Sequence, residues 1–242
     1  MIGETERKDT SGHADSNRTT NDKNSVNVLL GASNCKRLGK VSPNCINASI
    51  SGATLENIDE TIKLAKSNVF DKTVDKVVIS FGTNDITKAK GEHDQVNINL
   101  THAIHQVKSN FPNSIVGICT IFPRKGKGPN IAICNDTVLN VNIFLKKLCI
   151  REQIECVNAY ELFTKQGNAV KSLFDNTESS GVHISVEGCT KIRNEIVTFF
   201  DSDNVIGAEL KTPRKRTNSA LSSTSNSVES QNKQTRIVLP PV

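Results

Sequence analysis

Five short runs of apolar, largely β-branched residues, separated by helix-length segments, constrain this chain more than any other feature of its sequence. Residues 26–30, 45–51, 76–81, 114–122 and 154–157 carry the strand signal, and the third run (Lys-Val-Val-Ile-Ser-Phe) carries it most strongly. Between them apolar residues return at helical spacing. Leu55, Ile58, Ile62 and Ala65 predict a helix over 54–68 with Thr54 as its N-cap. Ile98, Ala103, Ile104 and Val107 predict one over 95–110, and further helices are expected over 135–151 and 186–200. Strand and helix in alternation imply an α/β chain: a mainly parallel five-stranded sheet with helices on both faces. In such sheets the functional groups gather in loops beyond the carboxyl ends of the strands.

The 242 residues divide unequally. Residues 1–24 hold almost no apolar side chains and are expected to form a disordered arm. Residues 25–202 form the expected domain, a normal size for one core. Residues 203–242 are expected to be a disordered basic tail. From Leu210 onward six Lys and Arg stand against one acid, and the rest of the chain holds 24 of each sign, so the whole net charge of +5 lies in the tail. Pro213-Arg214-Lys215-Arg216 has the composition of a nuclear-localisation or nucleic-acid patch. With no aromatic residue interleaved, such a patch implies weak, salt-sensitive phosphate contact rather than base recognition.

Seven cysteines are scattered without a C-x-x-C pair, and most lie in apolar stretches, so they are expected to be reduced and buried. That predicts an intracellular protein, cytoplasmic, with nuclear entry left open by the tail. The polar N-terminus has no signal-peptide core, and no apolar run reaches the ~18 residues of a membrane span. His93, His102 and His105 fall on or near one predicted helix, where a solvated polar face is favoured over a metal site. No cofactor is expected, and the oligomeric state is not legible.

The chemistry lies at the predicted strand ends. Gly31-Ala32-Ser33-Asn34 follows the first strand, Ser51-Gly52-Ala53-Thr54 the second and Gly82-Thr83-Asn84-Asp85 the third, while Gly181-Val182-His183 precedes the last helix. A hydroxyl nucleophile, a glycine, an amide and an imidazole therefore fall on one edge of the sheet. Ester hydrolysis needs such a set: a serine to attack, a histidine to take and return the proton, and donors for the oxyanion. Here the donors are expected to be the Ser33 and Gly52 backbone N–H groups and the Asn84 amide, with glycine at 52 allowing close approach.

These four blocks resemble the SGNH (GDSL-like) hydrolase family, in which Ser, Gly, Asn and His occur in this chain order. Ser33, Gly52, the G-x-N-D segment ending in Asn84-Asp85, and His183 each match a block, and Phe122-Pro123-Arg124 resembles a Pro-Arg segment common among relatives. The likeness spans residues 27–200. It implies a three-layer α/β/α, flavodoxin-like fold and an acyl-enzyme mechanism on a small-molecule, lipid or sugar ester, without metal.

Two positions depart from the family pattern. Ala32 replaces the usual Asp before the serine, and Ser180 stands three residues before His183, where the triad acid belongs. That acid fixes the imidazole tautomer and stabilises the imidazolium, and its loss in a serine protease lowers turnover by ~10⁴. Ser180 could still orient the ring, and Asp175 or Glu178 could substitute from the same loop. On this reading Ser180→Asp restores a missing charge and raises turnover. Arg124 and Lys125, in a basic glycine-bearing loop at the same edge, are candidates to receive an anionic substrate group. The alternative to an esterase is a pseudo-hydrolase: a ligand-binding or interaction module on this fold, associated with nucleic acid or a mobile element.

Overall fold

The computed structural model describes residues 24–202. The expectations for the N-terminal arm (residue 24 apart) and the basic tail lie outside the described residues. Five parallel strands, β1 (Ser25–Gly31), β2 (Cys45–Ser49), β3 (Thr73–Ser80), β4 (Ile115–Cys119) and β5 (Glu155–Val157), form one sheet in the order β2-β1-β3-β4-β5. Alternation along the strands sorts side chains to two cores. Val28, Leu30, Val77 and Ile79 face α2 (Ile58–Val69), α4 (Asp94–Asn110) and α5 (Pro129–Glu152). Leu29 and Val78 face the other way, onto α1 (Ser33–Leu38) and α7 (Val186–Asp201). The result is the expected three-layer α/β/α architecture.

Several boundaries differ from the sequence reading. The helix expected from residue 54 begins as a 3-10 turn at Leu55–Asn57 and becomes α2 only at Ile58. β4 ends at Cys119, and residues beyond it leave the sheet as a strap. α5 starts at Pro129, six residues before the expected start, with the proline at the first turn where its missing N–H costs nothing. α1, α3 (Thr83–Ala89) and α6 (Ala159–Leu162) are too short for apolar periodicity to announce them. The same holds for the two-residue strands β6 (Thr164–Lys165) and β7 (Asn168–Ala169).

The strap after β4 is fixed by α5. Asn142, buried in α5, accepts from the Ile121 N–H at 2.8 Å and donates to the Ile121 carbonyl at 2.9 Å. Seven residues earlier, two helical turns along the same face, Asn135 does the same for Arg124, at 2.7 and 3.1 Å. A strap that has left the sheet would otherwise bury backbone groups without partners. Two side-chain amides take the place of a neighbouring strand.

At the opposite end of the sheet Lys76 is buried. Its ammonium donates to the Phe199 carbonyl at 3.0 Å and to Ser202 at the C-terminus of α7, where unpaired carbonyls favour a cation.

Asn142→Ala leaves a buried donor and a buried acceptor unpaired at Ile121. It is expected to cost about 2–4 kcal/mol in urea unfolding. A loss below about 0.5 kcal/mol would show that the strap does not depend on that pairing.

Candidate active site

The register of the sheet brings three loops together. Gly31, the last residue of β1, pairs with Ser49 of β2 on one side and Ser80 of β3 on the other. The loops carrying Ser33, Gly52 and Asn84 therefore leave the sheet from adjacent points. Glycine is needed at 31 because a Cβ there would lie 2.5 Å from both the Cβ and Sγ of Cys35, inside any tolerated contact. Ser33 follows at the first position of α1.

His183 arrives from the far end of the chain. Its Nε2 lies 3.2 Å from Ser33 Oγ, and its Nδ1 lies 2.5 Å from Glu178 Oε2. An ionised carboxylate can only accept, so a neutral imidazole paired with it carries its proton on Nδ1 and presents Nε2 as the acceptor for the serine hydroxyl. His183 and Glu178 side chains are 25% and 33% exposed, so the pair is shielded but open to a ligand.

The segment between Phe174 and Ile184 folds back on itself. These two residues form an antiparallel bridge, the Asp175 N–H donates to the His183 carbonyl at 2.9 Å, and Glu178 lies in the turn between. The buried side chain of Asn34, next to the serine, grips this segment from inside. It donates to the Val182 carbonyl and accepts from the Ile184 N–H, both at 3.2 Å, so it holds the backbone on either side of His183. Sequence reasoning missed Asn34. Its place beside Ser33 was the only signal, and an amide pairing with backbone 148 and 150 residues away has no sequence signature.

Asn84 and Gly52 are linked through one turn. The Asn84 amide donates to the Ala53 carbonyl at 2.8 Å, which leaves its second N–H uncommitted by that bond. Gly52 takes φ of +79°, in the left-handed region, and a Cβ there would meet nothing within 4 Å. The glycine serves the backbone conformation, and the space beside it is open. Asp85 braces the same turn from below, its Oδ1 accepting the Leu55 N–H at 3.0 Å while its Oδ2 is buried without a partner. Burial pushes the Asp85 carboxyl up to about 6.

Four further candidates make other contacts. Ser180 does not orient His183; its hydroxyl accepts from the Val182 N–H at 3.3 Å. Asp175 is engaged with the Thr177 hydroxyl and N–H and with Arg37 at 3.0 Å, bonds that hold its carboxyl down to about 2. Of the three groups proposed to replace the triad acid, only Glu178 meets the imidazole. The basic loop also departs from expectation. The Arg124 guanidinium donates to the Thr83 carbonyl at 3.2 Å and to the Thr87 hydroxyl, and Lys125 Nζ donates to the Asp175 carbonyl at 2.6 Å and to Asn176 Oδ1 at 3.0 Å. Both cations are engaged within the protein, because their own backbone lies against these acceptors.

All seven cysteines are free thiols. Cys35, two residues from Ser33, is buried, and desolvation chiefly pushes its thiol up to about 11, which disfavours the thiolate. His105 Nε2 lies 3.2 Å from Glu152 on the surface of α4, and among the described residues no group of three or more His, Cys, Asp or Glu could hold a metal ion. No described helix is long and apolar enough to cross a membrane.

The GDSL-like Lipase/Acylhydrolase family profile matches residues 10–191. No curated protein matches the chain. Among solved structures, the chain is similar to a member of the lipolytic protein G-D-S-L family from Veillonella parvula, at 15% identity over 73% of this chain and 98% of that one, with a TM-score of 0.58. It is also similar to a GDSL-like lipase from Bacteroides thetaiotaomicron (19%, 73% and 87%, TM-score 0.56). A third similar structure is the lipase/acylhydrolase from Enterococcus faecalis (20%, 72% and 94%, TM-score 0.54). At these identities the likeness is one of fold.

The raised Asp85 value has a consequence for stability. The folded state holds the Asp85 proton more tightly than the unfolded chain, so this group's contribution falls as pH rises from about 4 to about 6 and is level above that. Asp85→Asn cannot ionise and keeps an acceptor for Leu55. It is expected to match wild type near pH 4 and to exceed it by up to about 3 kcal/mol at pH 7.5 in urea unfolding. A variant less stable than wild type at pH 7.5 would contradict the assignment.

Proposed function

We propose that this chain, which belongs to the GDSL-like lipase/acylhydrolase family, is a serine ester hydrolase acting through an acyl-enzyme on an O-acyl ester of a small molecule, lipid or sugar. The observation that carries the reading is the continuous path from Glu178 through both ring nitrogens of His183 to Ser33, with contacts of 2.5 and 3.2 Å.

In this mechanism Ser33 Oγ attacks the ester carbonyl as its proton passes to His183 Nε2. Glu178 stabilises the imidazolium across the Nδ1 bond without taking the proton itself. The tetrahedral oxyanion is met by the Ser33 and Gly52 backbone N–H groups and by the second Asn84 N–H. Each donor of this kind is worth about 3–4 kcal/mol where it has been removed in other hydrolases. The intermediate collapses as His183 returns the proton to the leaving alcohol. Water then repeats the sequence on the acyl group, releasing the acid and restoring Ser33.

The reading as a binding module without turnover rested on the serine at position 180. The carboxylate within hydrogen-bond distance of His183 favours the hydrolase over that reading. Nucleic-acid contact through residues 213–216 rests on residues outside the described ones and is not part of this proposal.

Turnover of a p-nitrophenyl ester separates the candidates for the acid. Glu178→Gln is expected to lower kcat by roughly 10²–10⁴ with little change in KM. Ser180→Asp is now expected to change kcat by less than about threefold, since a carboxylate already serves. The reverse pattern, an indifferent Glu178→Gln and an accelerating Ser180→Asp, would return the acid position to residue 180.

A further inference from the structure

We infer that Lys125 is a positioning residue for the Glu178–His183 pair, acting by gripping both ends of the turn that carries Glu178. The inference rests on the roles proposed above for Glu178 and His183.

The turn is residues 175–181, and its hold on the rest of the protein is largely through Lys125. At its start, Lys125 Nζ donates to the Asp175 carbonyl at 2.6 Å and to Asn176 Oδ1 at 3.0 Å. At its end, the Lys125 backbone N–H donates to the Gly181 carbonyl at 2.9 Å. The approach at Gly181 is close enough that a Cβ there would run into the Lys125 carbonyl oxygen, and Gly181 also takes φ of +64°. Arg37 adds an ion pair to the Asp175 side chain at 3.0 Å, half exposed and therefore weak.

A clamp positions only if it is itself fixed, and Lys125 sits on the strap that α5 holds. Asn135 pairs with both backbone groups of Arg124, the adjoining residue, and Asn142 with both of Ile121. The Arg124 side chain ties the same strap to Thr83 and Thr87 of α3, the helix that also carries Asn84. Lys125 thus transmits the rigidity of α3 and α5 to a loop that has no regular secondary structure of its own. It hydrogen-bonds to neither Ser33 nor His183. Its effect is to hold the Glu178 carboxylate at the imidazole, where displacement by about 1 Å costs up to 10²-fold in rate.

The test compares Lys125→Met, which keeps the apolar stem and loses the donors, with Lys125→Arg, which restores them. Two readouts are taken on the full chain. One is the second-order rate of phosphonylation of Ser33 by a fluorophosphonate from pH 6 to 9. The other is the proton NMR signal of the His183 Nδ1–H, whose protection depends on Glu178 and not on turnover. Lys125→Met is expected to slow phosphonylation by about 10- to 100-fold and to broaden the Nδ1–H signal, with the urea midpoint unchanged and Lys125→Arg recovering most of both. Wild-type phosphonylation and an intact signal in folded Lys125→Met overturn the inference. If the wild-type protein itself is not phosphonylated, the hydrolase reading fails, and the Nδ1–H signal alone decides the clamp: lost in Lys125→Met supports it, kept overturns it. Should Lys125→Met not fold, Lys125→Ala, which also lacks the side-chain donors, is read by the same two criteria.

Discussion

Parallel pairing of β1 between β2 and β3 decides where the loops carrying Ser33, Gly52 and Asn84 begin. Because Gly31 sits level with Ser49 and Ser80, the three following loops start side by side. Each then needs few residues to bring its functional group to the same edge. Nothing comparable delivers His183 and Glu178, which lie 150 and 145 residues beyond Ser33 in a loop before the final helix. The sheet supplies one half of the site cheaply. The other half needs a second set of constraints, supplied by side chains: Asn34 from inside, and the strap pinned by Asn135 and Asn142 from outside.

That division explains the use of asparagine. A strap or loop that has left the sheet buries N–H and C=O groups that no strand can satisfy, and an unpaired buried group costs about 1–3 kcal/mol. An asparagine offers a donor and an acceptor together, so one side chain satisfies both backbone groups of a residue, as Asn142 does at Ile121. Glu178 solves a related problem. Lying five residues before His183, it reaches the imidazole from within a turn that folds back on itself, while Asp175, at the base of the turn, is already bound to Thr177 and Arg37. In the proposed mechanism a carboxylate that close to Nδ1 fixes the tautomer, and that tautomer makes Nε2 the base for Ser33.

The strands and the placement of the loops carrying Ser33, Gly52, Asn84 and His183 were legible because periodicity and loop motifs are local properties. The 76–81 run and the Gly82-Thr83-Asn84-Asp85 segment announce themselves by local composition, and both stand where the sequence places them. Glu178 was legible only as one of three candidates, since loop geometry chooses among them and sequence spacing does not. Arg124 and Lys125 were misread for a physical reason: charge and exposure in sequence do not show that carbonyls of residues 83 and 175 lie within reach. Asn135 and Asn142 left no signal at all, and Asn34 none beyond its place beside Ser33, because their partners are backbone groups, which every residue carries.

The central claim, that Ser33 is an activated nucleophile, is tested most directly by intact-mass analysis and peptide mapping after incubation with a fluorophosphonate. A single adduct mapping to Ser33, absent from Ser33→Ala and from His183→Ala, is the predicted result. Folded protein that takes no adduct, or takes it on another residue, would contradict the account.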